Sequence, residues 1–169
     1  MGADEADSFA AIEADWNAIV KLERQLSAAR KQLTGTFNRL NALNRDFTPD
    51  ERRIADNLDV TDWVDARRWL RDAASKVHKL VKAHDVGVTS MAGQRTRFET
   101  IYEQSIVPRR PIEGLDQIRR DFDSHRKTAQ HLLNNMVAAN DAAVRDGEGR
   151  ARRILNRVQA KARTGRRSV

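Results

Sequence analysis

A seven-residue repeat of apolar side chains runs through residues 8–47 and constrains the fold more than any other feature. Leu22 and Leu43 widen the apolar stripe that this repeat produces. Apolar residues spaced three and four apart lie on one face of an α-helix, so the repeat predicts one long amphipathic helix from about residue 8 to residue 46. The repeat recurs without a miss at Ile12, Ile19, Leu26, Leu33, Leu40 and Phe47.

This stripe predicts a seam that packs against other helices, either within the chain or on a second copy. Glu23 and Arg30 interrupt the seam where a dimeric coiled coil would prefer aliphatic residues. Buried Arg and Glu can act in helical enzymes, but such residues more commonly form a register-setting polar layer or a paired interface. The seam residues are Ile12, Trp16, Ile19, Leu26, Leu33, Phe37 and Leu40.

Prolines, glycines and capping residues predict where the helices end. The segment Thr48-Pro49-Asp50-Glu51 combines an N-cap, a proline for the first helical position and a capping box, so a second helix should fold straight back on the first. Gly87 predicts a helix end, followed by a shorter helix over 90–107. The prolines within 108–111 predict a break before another long helix. The glycines within 146–149 predict a hinge, a frayed point or a helix end.

These boundaries predict an all-α protein, since aromatic residues make up only 5% of the chain and β-branched runs are absent. We expect an elongated antiparallel helical bundle or coiled-coil hairpin of three long helices and one short helix, followed by a basic C-terminal helix or tail. The chain divides into an acidic N-terminal end (1–7), a helical bundle (8–146) and a glycine-hinged basic C-terminal segment (147–169).

Few side chains could carry chemistry. The absence of cysteine excludes disulfides, thiolate metal sites and cysteine nucleophiles. The four histidines form no metal-binding sequence motif, and no P-loop, dinucleotide-binding or nucleophile-elbow motif occurs. His125 lies on the apolar face of a predicted helix, where a buried, hydrogen-bonded histidine is more common than a metal ligand. We therefore expect a protein that is not an enzyme and has no cofactor, metal or small-molecule substrate.

Positive charge is concentrated at the C-terminus. The formal net charge is +7, yet the 23 basic and 24 acidic side chains outside residues 150–169 almost balance. If 150–163 is helical, its apolar residues lie on one side and its basic residues on others. This makes the basic residues candidates for contacting a polyanion. They are Arg150, Arg152, Arg153, Arg157, Lys161, Arg163, Arg166 and Arg167, with no acidic residue among them.

Three partners remain open for this basic segment. Nucleic acid would be bound through its phosphate backbone, independently of sequence, because no aromatic residue follows Phe122 in the chain. A protein partner is the second, and the acidic residues between Asp4 and Asp15 could play that part within one chain or between copies. A membrane surface is disfavoured, since interfacial helices usually carry Trp or Phe on their apolar side.

The function that follows is a structural or assembly protein, either a homo-oligomer or bound to a protein partner through its coiled-coil surface, whose basic C-terminus contacts a polyanion or an acidic surface. The alternative is an accessory protein that binds DNA or RNA backbone, and a peripheral membrane-binding protein is weaker. No apolar run approaches the ~18 residues of a membrane span, and the acidic N-terminal end is not typical of a signal peptide. We therefore expect a cytoplasmic protein, or a component of a particle such as a virion assembled there.

Overall fold

The computed structural model describes residues 2–47 and 60–167, and it describes side chains over 2–47 and 63–160. The helices are α1 (Ala3–Asp46), α2 (Val60–Ile101), α3 (Leu115–Ala142) and α4 (Arg150–Arg167). A π-helical segment, Tyr102–Ile106, continues α2, and a second, Ala143–Gly149, connects α3 to α4. The described ranges contain no strand, and the prediction of an all-α protein with three long helices is confirmed.

Helix α1 begins earlier than its apolar repeat and ends where the sequence predicts. Asp4 and Glu5 lie in its first turn, where carboxylates interact favourably with the positive end of the helix dipole. This interaction favours a helix that begins before residue 8. Its last residue is Asp46, as predicted. The capping box at Thr48-Pro49-Asp50-Glu51 lies outside the described residues, and α2 is first described at Val60.

The predicted helix end at Gly87 is wrong, because α2 continues through this residue to Ile101. A Cβ atom placed on Gly87 would lie 3.4 Å from the Leu132 Cδ2 atom, an ordinary van der Waals contact, so Gly87 lies where α3 passes α2. The Thr89 hydroxyl donates to the Asp85 carbonyl oxygen at 2.8 Å within the same helix. The predicted short helix over 90–107 is therefore part of α2 and the π-helical segment that follows it.

The predicted break at the two prolines is confirmed. After the π-helical segment the backbone turns at Arg109 and Gly114, which have positive φ angles of 57° and 70°. Glycine adopts this left-handed conformation without the steric cost that Arg109 incurs. Helix α3 then begins at Leu115.

The described chain forms two compact units, and segments of three long helical stretches contribute to each. The first unit comprises Met1–Arg30 and Lys82–Asn135. Ion pairs connect Glu23 with Arg95 at 2.9 Å and Arg30 with Asp85 at 2.8 Å, so later residues of α1 meet earlier residues of α2. The unit has an aromatic-rich core, which contains Phe9, Ile12, Trp16, Ile19, Phe98, Ile106, Ile118 and Phe122.

The second unit comprises Lys31–Val81 and Met136–Val169. Phe47 packs on Trp63 with ring centroids 4.4 Å apart, and Phe37 stacks on His78 at 5.4 Å. The fully buried Thr36 hydroxyl donates to the Asn140 Oδ1 atom at 2.6 Å. Here too, later residues of α1 meet earlier residues of α2.

Candidate polyanion-binding surface

Helix α4, in the second unit, is amphipathic as predicted. It extends beyond the expected 150–163 to Arg167 and buries Ala151, Ile154, Leu155 and Val158. Four of the predicted basic residues, Arg150, Arg152, Arg153 and Arg157, have exposed side chains. The other four, Lys161, Arg163, Arg166 and Arg167, lie beyond the residues whose side chains are described.

Gly147 positions the start of α4. A Cβ atom on this residue would lie 2.7 Å from the Ala73 Cβ atom and 3.7 Å from the Trp69 carbonyl oxygen. Only a residue without a side chain therefore allows the π-helical segment to lie this close to α2. Of the three outcomes that the sequence predicts at these glycines, the helix end does not occur, because the backbone stays helical through Gly149 into α4.

This close approach brings α4 against Trp69 of α2. The Arg150 guanidinium lies over the Trp69 ring, 4.4 Å from its centroid, in a cation–π contact. Such contacts stabilise by about 0.5–1 kcal/mol at exposed sites, enough to favour one orientation of a long side chain. Arg153 and Arg157 line the same surface groove, which has a volume of about 400 Å³.

Arg152 lies apart from this groove. It donates to the Glu148 Oε1 atom at 3.2 Å, and Arg39 donates to the Oε2 atom of the same carboxylate at 3.2 Å. Glu148 is nearly buried, so both hydrogen bonds satisfy a carboxylate that would otherwise be costly to bury. The charge of Arg152 is thus already engaged within the protein.

The groove is suited to anionic groups. Guanidinium groups remain positively charged at all physiological pH values and bind phosphate or carboxylate oxygens in pairs. Residues 150 and 157 are two helical turns apart, which places these side chains along roughly 10 Å of helix. No Asp or Glu is among the described side chains that line the groove.

Some of the acidic residues between Asp4 and Asp15 already form ion pairs within the first unit. Glu13 accepts from Arg109 at 2.9 Å, and Asp15 accepts from Arg126 at 2.8 Å, both within the first unit. Burial raises the pKa of the Asp15 carboxyl, and Arg126 opposes that rise. These two acids therefore already have partners of their own, whereas Asp4 and Glu5 are exposed.

The seam residues lie inside the two units. Phe37 alone among them is partly exposed. The polar residues that interrupt the seam are paired: Glu23 with Arg95, and Arg30 with Asp85 at 2.8 Å. A partner could reach the seam only after these intramolecular contacts were lost. The buried seam residues are Ile12, Trp16, Ile19 and Leu26 in the first unit, and Leu33 and Leu40 in the second.

Sequence reasoning missed Trp69, because no aromatic residue follows Phe122 and Trp69 lies far from the basic segment along the chain. A signal was present. Trp69 lies between Arg68 and Leu70, next to the periodic apolar positions of α2 and not at one of them. A large aromatic residue at the edge of a polar helix face often contacts a neighbouring element or a ligand.

The chain matches no protein-family model, no curated protein and no solved structure. Across the parts of the chain with described side chains, no three His, Asp or Glu residues lie close enough together to hold a metal ion. Among the described helices, none is both long and apolar enough to cross a membrane.

Proposed function

We propose that this chain is a non-enzymatic helical structural or assembly protein whose basic C-terminal helix contacts a polyanion or an acidic partner surface. The observation that carries the proposal is the groove in which Arg150, Arg153 and Arg157 lie beside Trp69. A surface whose described side chains include several guanidinium groups attracts multiply charged anions more than single ions, since each contact releases a counterion.

The helical stretches form an antiparallel bundle in this proposal. Its support is the order of the contacts, since in each unit later residues of α1 meet earlier residues of α2. Such a bundle buries its own seam, so self-association or binding of a protein partner would use outer helix faces. We place the protein in the cytoplasm, or in a particle such as a virion assembled there.

The polyanion contact is tested by neutralising the groove. We expect the triple variant Arg150→Gln, Arg153→Gln, Arg157→Gln to bind duplex DNA and heparin more weakly than the parent protein. On duplex DNA, the slope of log K against log salt should become shallower by about 3. Fluorescence anisotropy over a salt series measures both quantities.

A matched control distinguishes the effect of the groove residues on binding from the effect of net charge. The variant Lys21→Gln, Arg24→Gln, Lys31→Gln loses the same formal charge from exposed positions of α1. Its salt slope should equal that of the parent protein. Equal losses in the two triple variants, or no binding of either probe at low salt, would show that the groove is not the binding surface.

The assembly part of the proposal has a separate test. Light scattering over a concentration series should give a mass above the 19.2 kDa of one chain. A mass of one chain at all concentrations, with no protein partner recovered from crosslinked cells, would exclude an assembly role while leaving the polyanion contact intact.

A nucleic-acid-binding accessory protein is the second candidate function, and Trp69 favours it. Single-stranded nucleic-acid sites combine cationic grooves with aromatic side chains on which bases stack, each stack contributing about 1–3 kcal/mol. We expect Trp69→Leu to weaken binding of single-stranded DNA by about fivefold or more, and binding of heparin much less. Equal weakening for both probes would assign Trp69 only the role of orienting Arg150.

A further inference from the structure

The first unit contains a cavity of about 480 Å³. Sites for small molecules usually have volumes of about 300–1,000 Å³. Residues from α1, α2 and α3 all line it, for example Leu26, Met91 and Ala129. A partner helix that docked on the surface would lie in the groove between two helices. A space that is bounded by three helices is better suited to a molecule smaller than a helix.

The wall has a buried part and an exposed rim. Ile19, Leu26 and Ala129 form apolar surface at the buried part, and two imidazoles, those of His84 and His125, lie among them. The charged side chains that line the cavity are each a third or more exposed and therefore lie at its rim. These are Glu23, Arg30 and Arg95, with 40%, 43% and 33% of their side-chain surface exposed.

The rim charges are already matched in pairs. Glu23 accepts from Arg95 at 2.9 Å, and both guanidinium nitrogens Nε and Nη2 of Arg30 donate to the Asp85 carboxylate, at 2.8 and 3.0 Å. A charged ligand would have to break one of these pairs or enter without a counter-charge, and either is costly at a partly buried site. An uncharged ligand avoids both costs.

The hydrogen bonds of the two imidazoles define which polar group such a ligand needs. Hydrogen bonds from Arg30, then from His84, hold the pKa of the Asp85 carboxyl far below its usual range. Asp85 is therefore an acceptor, and the His84 Nδ1 atom, 2.9 Å away, donates to it. The His125 Nδ1 atom donates to the Gln94 Oε1 atom at 3.2 Å. A neutral imidazole that donates through Nδ1 accepts through Nε2.

Burial keeps the His125 ring neutral, because it lowers the pKa of this imidazole. The ring also packs edge-on against Phe98, with centroids 5.3 Å apart, which fixes its plane. The buried part of the cavity therefore offers apolar surface together with one hydrogen-bond acceptor, the Nε2 atom of His125.

We propose that this cavity binds an uncharged, mainly apolar small molecule that carries a hydroxyl or N–H group, which donates a hydrogen bond to the Nε2 atom of His125. This site is independent of the arginine groove, which lies in the second unit. It adds a small-molecule ligand, though not a substrate, to a chain whose sequence suggests none.

A series of naphthalene probes tests the ligand chemistry. The probes are 2-naphthol, which is neutral at pH 7 and donates; 2-methoxynaphthalene, which only accepts; and 2-naphthalenesulfonate, which is anionic. Isothermal titration calorimetry should show saturable binding of 2-naphthol at a single site per chain. The ether should bind about threefold to tenfold more weakly, the worth of one net hydrogen bond, and the sulfonate more weakly than the naphthol.

Variants locate the site. Ala129→Leu fills the buried part of the cavity and should abolish binding of 2-naphthol, while the matched substitution Ala28→Leu, at an exposed position outside the cavity, should not. Ala92→Leu narrows the exposed mouth and should weaken binding even if Ala129→Leu impairs folding. His125→Phe should remove the preference for the naphthol over the ether, with circular dichroism confirming the fold.

Three results would overturn the proposal. The first is the absence of saturable binding by any probe, which would show that the cavity binds no ligand of this class. The second is unchanged binding in both Ala129→Leu and Ala92→Leu. The third is tighter binding of the sulfonate than of the naphthol, which would show that the rim charges, not the His125 imidazole, select the ligand.

Discussion

Gly147 offers the sharpest test of the packing, because one added methyl group should have opposite effects at two helical glycines. At most helical positions, Gly→Ala stabilises by about 1 kcal/mol through helix propensity. Gly147 differs, since the new Cβ atom would lie 2.7 Å from the Ala73 Cβ atom. Neither methyl group can rotate away, so the backbone of α2 or of the π-helical segment must move.

The magnitude follows from two opposing effects. Overpacking a core costs about 1–3 kcal/mol, against the gain of about 1 kcal/mol in propensity. Gly147→Ala should therefore range from neutral to about 2 kcal/mol destabilising. Gly93→Ala, at an exposed helical position with no heavy atom within 4 Å, is the matched control and should stabilise by about 1 kcal/mol. The two variants should differ by about 1–3 kcal/mol.

Urea unfolding followed by circular dichroism measures both free energies of unfolding. A double-mutant cycle then isolates the contact. Ala73→Gly removes the opposing methyl group, so the combination of Gly147→Ala with Ala73→Gly should return close to the parent stability, with a coupling of about 1–3 kcal/mol. If Gly147→Ala is as stable as Gly93→Ala, or if the coupling is zero, the close approach of Gly147 to α2 does not exist.

Three further predictions concern buried polar groups. Because burial lowers the pKa of His125 from 6.5, the unfolded chain binds a proton first as the pH falls. Stability should therefore decline as the pH falls below about 6.5, and thermal melts of His125→Phe should show a smaller decline. Thr36→Val, which removes the 2.6 Å hydrogen bond to Asn140, should cost about 1 kcal/mol in urea unfolding, whereas Thr36→Ser should cost less. Glu148→Gln should cost about 1–3 kcal/mol, since its carboxylate accepts from Arg39 and Arg152, and a cost no larger than that of the exposed substitution Glu103→Gln would contradict this.

The sequence predicts what depends on neighbours along the chain. The end of α1 at Asp46 and the buried face of α4 both follow from apolar spacing, which the helix period converts directly into one side of a helix. The break around 108–111 follows because proline excludes a continuing helix whatever surrounds it. These features need no knowledge of what packs opposite.

What the sequence misses depends on residues that are distant along the chain. Gly87 and Gly147 both resemble helix ends locally, yet each lies where another helix passes close by, at Leu132 and at Ala73. Local propensity cannot distinguish a glycine that ends a helix from one that admits a neighbour. The contact of Trp69 with Arg150 is missed for the same reason, since it exists only once α2 and α4 are packed together.

The segment 147–149 also bears on the proposed contact with a polyanion, because it places the described arginines of α4 in different environments. Glu148 engages Arg152, and Trp69 holds Arg150 in the groove, so neighbouring arginines on one helix have different environments. An anion that binds Arg152 must displace the nearly buried Glu148 carboxylate. The free energy of this displacement is larger than that of binding a solvated arginine. Eight basic residues in 150–169 would predict a salt slope of about −7 on duplex DNA, whereas the groove alone predicts about −3. The measured slope therefore reports how the protein distributes its arginines, rather than how many it has.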